Sequence, residues 1–426
     1  MFPLAIMAFV LTSPGGFAAD SWPQWRGADQ NGVAEGDKFP TKWSESAGVT
    51  WKKELPGTGG STPVIADGVA YVTAGFEGKN TLMAFDTTSG TLKWETSVGI
   101  DRGNKHRKGS GSNPSPVIDA GRIYVYYRSG DLACIDTDGD VLWKTNLQER
   151  FGEDTLWWDL GSSPTLTKTA VVIAVMQSGP SYIVAFDKKT GDEIWRSDRM
   201  LDAPEEAAQS YSTPMAVTVQ GEDAIAVMGA DHLTLTRASD GKQLGVLGGF
   251  NPDREQYWRS ISSPVAEGNI IVCPYARGDT LTAVRMDELA QGKGKDAIAW
   301  FRDDLGSDVP TPAAHQGRVY VVGDGKRVRG TITCIDIETG KNIWTVQLAK
   351  SRDGFSSSPL VAGNHLYVTQ ENGTTYVIGP LDAKQPEVLF ENKIGDDAPF
   401  TVASPVPVDG NLLLRSKHSL YRIAGE

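Results

Sequence analysis

The stretch Ala84-Phe-Asp86-Thr-Thr-Ser-Gly90-Thr-Leu-Lys-Trp94 returns as Ala185-Phe-Asp187-Lys-Lys-Thr-Gly191-Asp-Glu-Ile-Trp195 and as Cys334-Ile-Asp336-Ile-Glu-Thr-Gly340-Lys-Asn-Ile-Trp344. A fourth copy, one residue shorter, is Cys134-Ile-Asp136-Thr-Asp-Gly139-Asp-Val-Leu-Trp143. The Asp carboxylate can accept hydrogen bonds from turn N–H groups two residues on, and Gly takes positive φ without steric cost, so together they close a hairpin. The Trp then lies on the strand that follows, where its ring can wedge between repeats. A buried Trp hides about 150–250 Å², worth roughly 4–6 kcal/mol as an upper bound. Trp51, Trp94, Trp143, Trp195, Trp300 and Trp344 are accordingly read as structural docking residues.

Outward from this phrase a longer period emerges. A small or hydroxyl residue followed by Pro, an apolar strand, a turn and a β-rich strand recurs at Pro63, Pro116, Pro164, Pro214, Pro264, Pro312, Pro359 and Pro405. The spacing stays between 46 and 53 residues, which marks a repeat architecture of eight units. Within the first unit, Thr62 to Ala66, Val69 to Ala74, Thr81 to Asp86 and Thr91 to Thr96 read as four strands separated by turns. The fold class is therefore all-β: an eight-bladed β-propeller of four-stranded antiparallel blades.

Some units depart from the pattern. The fourth has Arg237 and Gly245 where Asp and Trp belong, the fifth has Arg285 and an insertion from Met286 to Ala297, and the seventh has Ile378 and Phe390. The eighth ends without an outer Trp strand. Val49-Thr-Trp51-Lys-Lys-Glu-Leu55 stands upstream of the first unit as an orphan strand, and it is expected to complete the last blade and remove a free sheet edge.

The repeated A-x-D-x-x-x-G-x-x-x-W phrase resembles the tryptophan-docking repeat of the pyrroloquinoline quinone (PQQ)-like β-propellers. Trp22-Pro23-Gln24-Trp25-Arg26-Gly27 with Asn31-Gly32-Val33 resembles a segment that precedes such propellers in exported bacterial proteins. Residues 20–48 are expected to cap the ring, and residues 49–426 to form the propeller. The resemblance implies either a noncatalytic scaffold of the BamB-like kind or a quinoprotein dehydrogenase with PQQ and Ca²⁺. Quinoproteins of this type hold the quinone over a Trp floor with acidic and amide ligands to Ca²⁺ and an Asp base, and many add a vicinal disulfide. No Cys-Cys pair is present here, no CxxCH haem signature occurs, and no Ca²⁺ set or base maps onto this sequence.

The net charge of −12 and pI near 5.0 repel phosphate backbones, which argues against nucleic acid as a partner. Met1 to Ala19 is uncharged with an apolar run and a small-residue end, and is read as a signal peptide without a lipobox Cys. Export to the periplasm or beyond, as a monomer without a transmembrane anchor, is the expectation. Cys134, Cys273 and Cys334 are read as buried structural thiols, the first and last at the Ala84 position.

Loops from each outer strand to the next inner strand gather on one face, and Val98 to Ser112, Asn146 to Gly161, Ser197 to Gln209 and Val246 to Ser260 are long. Trp157, Trp158, Asp159, Glu205, Tyr211, Arg254, Tyr257, Trp258 and Arg259 are the candidate ligand- or partner-binding residues, since Trp, Tyr and Arg on loops anchor partners or stack on planar ligands and sugars. The cations Arg102, Lys105, His106, Arg107 and Lys108 suit a solvated face or an anionic partner. No catalytic motif or metal-ligand spacing is present, and the five histidines fall in separate units. The expected function is a noncatalytic envelope scaffold that binds a protein partner, with a PQQ-dependent oxidoreductase or a small-ligand or carbohydrate binder through Trp157, Trp158 and Trp258 as alternatives.

Overall fold

A computed structural model describes residues 21–395 and 400–425; the signal-peptide reading of residues 1–19 lies outside these. The chain forms eight sheets arranged as an eight-bladed β-propeller, seven with four strands and one with a fifth short strand added. The orphan strand Val49–Glu54 pairs antiparallel with Ser419–Ile423, so the first long strand of the chain is the outer strand of the last blade.

Within each blade the register explains the repeated phrase. Ala84 faces Trp94, Cys134 faces Trp143, Ala185 faces Trp195, Ala283 faces Trp300 and Cys334 faces Trp344 across the last two strands. The small side chain leaves the ring free to lean onto the following blade. There the indole N–H of Trp51, Trp94, Trp143, Trp195 and Trp300 donates to the carbonyls of Thr87, Thr137, Lys188, Ala238 and Ile337 at 2.7–3.2 Å. Each of these rings lies over the turn glycine of that next blade; a Cβ on Gly191 would sit 2.6 Å from the Trp143 ring. Gly191 has φ +75°, so both backbone conformation and contact require glycine there. The turn carboxylates act as the sequence implies: Asp86 accepts from Ser89 N–H at 2.7 Å and Asp187 from Lys189 and Thr190 N–H at 2.7 and 2.9 Å, which holds both below the usual carboxylate range.

The fourth blade, which lacks its Trp, is packed differently. Gly245 faces Leu235, and the short helix Met286–Ala290 from the insertion of the fifth blade lies against it, so that a Cβ on Gly245 would meet Leu289 Cγ at 3.0 Å. Leu289 is fully buried and fills the interblade space that an indole occupies elsewhere.

Around the axis, the hydroxyl residue preceding each repeat proline forms a ring. Thr62 N–H donates to Ser115 Oγ, Ser115 to Ser163, Ser163 to Thr213, Thr213 to Ser263, Ser263 to Thr311, Thr311 to Ser358, Ser358 to Ser404, and Ser404 back to Thr62, all at 2.8–3.1 Å. The geometry accounts for the recurrent Ser/Thr-Pro. An innermost strand has no further strand to receive its N–H groups; Pro supplies none, and the neighbouring hydroxyl satisfies the one before it.

Residues 22–34 thread across one end of this channel. Trp22 exchanges two backbone hydrogen bonds with Ile65, Pro23 O accepts from Ile118 N–H, and the Gln30 amide bonds Ala216 N–H and Pro214 O. Asn31 O and Gly32 O accept from Ala314 and Val361 N–H, and Val33–Ala34 adds a parallel strand to Val361–Ala362. The buried Arg26 guanidinium donates to the carbonyls of Pro312 and Pro359. The Gln30 amide also donates to Thr165 Oγ1 at 3.4 Å, so six blades are tied to one segment. Its contacts lie about three residues beyond the hydroxyl ring along each inner strand, roughly 10 Å away at the usual strand rise.

Candidate functional site

The long loops precede the inner strands, so they stand on the opposite side of the hydroxyl ring from residues 22–34. Between loops and segment lies a cavity of about 500 Å³ on the axis, within the size range of small-molecule sites. All eight ring hydroxyl residues line it, Trp25 reaches it from the threading segment, and His106, Trp158, Tyr211, Arg259 and Phe355 form part of its wall.

Of the sequence candidates, Trp158, Asp159, Tyr211 and Arg259 come together at this cavity. Asp159 is buried and accepts from the backbone N–H groups of Lys105 and His106 at 2.7 and 2.8 Å, which fixes the first long loop against the second. The Trp158 indole donates to Glu206 Oε1 at 2.6 Å, its backbone N–H donates to Tyr211 Oη at 3.2 Å, and the His106 ring meets its face edge-on at 5.5 Å. Arg259 binds Asp308 through two bonds of 3.0 and 3.1 Å and lies 3.6 Å from Glu206.

The others lie elsewhere. Trp157 and Tyr257 pair at 6.4 Å between centroids, 44% and 53% exposed. The exposed Arg254 guanidinium donates two hydrogen bonds to the Asp202 carboxylate, and Glu205 is exposed on the 3₁₀ turn Glu205–Ala208, whereas its neighbour Glu206 is buried. Trp258 packs edge-on to Tyr275, and its carbonyl accepts from Tyr275 Oη; it supports the loop from beneath. The segment from Asn146 to Gly161, read as loop, begins with the short helix Leu147–Phe151, capped by the Asn146 side chain.

The sequence reading did not single out Asp308, Asp324, Glu371, Arg329 or Phe355, all of which line the cavity. Asp324 Oδ1 and Oδ2 accept from the N–H groups of Asp308 and Val309 at 2.7 and 2.9 Å. Burial, reinforced by the Asp308 carboxylate, pushes Asp324 up to about 7. Lys108 binds Glu371 at 2.6 Å, joining the loop that leads into the second blade to the turn between His365–Thr369 and Thr375–Gly379 of the seventh. Lys105 binds Asp154 at 2.8 Å, and Arg107 lies over the Phe400 ring at 5.4 Å. Lys105 and Lys108 are therefore tied down within the protein, whereas Arg102 and Arg107 remain exposed.

A family model described as outer membrane protein assembly factor BamB matches residues 33–109, 101–273 and 245–419. The chain belongs to this PQQ-like propeller family. Over 158 residues it is 30% identical to a quinohemoprotein alcohol dehydrogenase of Comamonas testosteroni, covering 35% of this chain and 21% of that protein. Over 161 residues it is 27% identical to quinohemoprotein alcohol dehydrogenase ADH-IIG of Pseudomonas putida, with the same coverage. These matches span only about a fifth of either relative. Among solved structures, a europium-containing methanol dehydrogenase superposes with TM-score 0.69 at 12% identity, over 96% of this chain and 98% of that one. BamB from Moraxella catarrhalis superposes with TM-score 0.61 at 11% identity, over 88% and 96%. At such identities these structures share the fold.

Family members thus include quinoproteins, and the cavity residues can be tested against that cofactor. PQQ is a tricarboxylate that needs cations and, with Ca²⁺, a set of acidic and amide oxygens. Among the described residues no three His, Cys, Asp or Glu side chains come close enough to share a metal. The one amide at the wall, Asn113, is engaged: its Oδ1 accepts from Ser110 Oγ at 2.8 Å and its Nδ2 donates to Leu160 O at 3.3 Å. Arg259 and Lys108 already hold carboxylates, and Asp159, Asp308 and Glu371 add negative charge. The residues present do not fit a Ca²⁺-chelated quinone.

Proposed function

We propose that this chain is an exported, noncatalytic propeller of the cell envelope that recognises a protein partner through the loops on its cavity face. The observation that carries this reading is the Trp157–Tyr257 pair. Two large aromatic side chains from different blade boundaries meet at the rim, each about half exposed, on loops fixed to a rigid ring. Exposed aromatics held in place at low entropic cost are the residues that dominate partner binding. The family description, outer membrane protein assembly, indicates the kind of partner: another protein of the envelope. Among the described residues no helix is long and apolar enough to cross a membrane.

A photo-crosslinking residue at position 157 in living cells tests this. A discrete adduct with an envelope protein, lost on Tyr257→Ala, is the expected result. Adducts absent at 157 yet present at a control site on the opposite face would contradict it.

A further inference from the structure

The cavity itself has a donor problem. Each of the eight ring hydroxyls accepts one backbone N–H from the preceding blade, yet none has an acceptor for its own hydrogen among the described residues. A Ser or Thr hydroxyl is one donor as well as an acceptor. All eight residues line the cavity and are otherwise buried. Eight O–H groups therefore have only the cavity in which to find oxygen acceptors.

Charge decides what kind of acceptor. The cations Lys108 and Arg259 are neutralised by Glu371 and Asp308, and Asp159 is answered by two backbone N–H groups with Arg128 at 3.8 Å. Arg329, exposed at the mouth, is a single cation against the additional carboxyl of Asp324. An anionic ligand would meet no surplus of positive charge, whereas a neutral one leaves every ion pair intact. Trp25 from one end and Trp158 and Phe355 from the wall supply apolar surface between the polar groups.

We infer that the channel cavity is a binding site for a neutral, oxygen-rich small molecule of mono- or disaccharide size, held by the hydroxyl ring and the aromatic residues around it. This does not depend on the partner reading, which concerns the outer rim.

The test is calorimetric titration of the full exported chain with glucose, galactose, maltose, cellobiose and myo-inositol, with glucuronate as the anionic control. Saturable binding of at least one neutral probe is expected, tighter than glucuronate. Ser263→Ala should weaken it about tenfold, the effect of one lost hydrogen bond of roughly 1.4 kcal/mol. Because that change also touches an interblade contact, Ile261→Trp, which fills the cavity without removing a ring hydroxyl, should abolish binding while leaving thermal unfolding near wild type. The inference is overturned if no neutral probe binds, if glucuronate binds more tightly, or if Ile261→Trp leaves affinity unchanged.

Discussion

The backbone N–H of Ser404 donates to Thr62 Oγ1 at 3.0 Å, joining the first and last blades by the same bond that joins every other neighbouring pair. The seam between the chain's two ends is thus closed twice, by this inner bond and by the outer strand Val49–Glu54. Thr62→Val leaves a buried N–H without its acceptor and should cost about 1–3 kcal/mol, while Thr62→Ser should be close to neutral. Equilibrium urea unfolding of both variants checks this; equal losses would mean that the hydroxyl is not what matters.

Trp195 and Trp344 occupy equivalent positions but differ in one bond. Trp195 Nε1 donates to Ala238 O at 2.9 Å, whereas Trp344 Nε1 is buried without a partner. Trp195→Ala should destabilise by about 3–5 kcal/mol through loss of its packing. Trp195→Phe should cost more than Trp344→Phe by roughly the 0.5–1.5 kcal/mol of one hydrogen bond. Denaturation midpoints of the three variants decide it, and a near-neutral Trp195→Ala would refute docking between blades.

Leu289 substitutes for a missing indole, so its role exceeds that of an ordinary inserted residue. Leu289→Ala should cost about 2–5 kcal/mol. Gly245→Leu should be comparably harmful, because its side chain would enter space already filled. Neutral outcomes in thermal unfolding would show that the fourth and fifth blades are held together elsewhere.

Much of the fold was legible because its determinants are local. The Asp-to-Gly turn, the Trp on the outermost strand and the Ser/Thr-Pro step each repeat within a span of some 50 residues, so self-comparison reveals them. The closing strand was legible by subtraction: Trp51 had a Trp phrase but no blade. The site was less so. Lys108 and Glu371 meet across 263 positions of sequence, and Asp324 gains its character from burial and from Asp308 in another loop. Loop aromatics were visible by type, but nothing local separates Trp158, which faces the cavity, from Trp157, which faces outward. The Met286–Ala297 insertion read as a defect because its partner, Gly245, has no side chain to announce it.

Asp324 should make stability depend on pH. Burial raises its folded pKa to about 7, well above the usual carboxylate range, so the folded state favours the protonated carboxyl. That contribution is fully present below about pH 4 and is lost as pH rises through about 7. Asp324→Asn should flatten this part of the profile and narrow the gap between stability at pH 5 and pH 8. Chemical denaturation across that range tests it; an unchanged slope would place the titrating group elsewhere.

The most direct test of the account is calorimetric titration of the exported chain with PQQ, with and without Ca²⁺. A ring whose cavity cations Lys108 and Arg259 already hold carboxylates, and whose described acidic side chains do not assemble a metal site, predicts no saturable heat in either condition. Saturable, Ca²⁺-dependent binding would contradict it and make the cavity a quinone site.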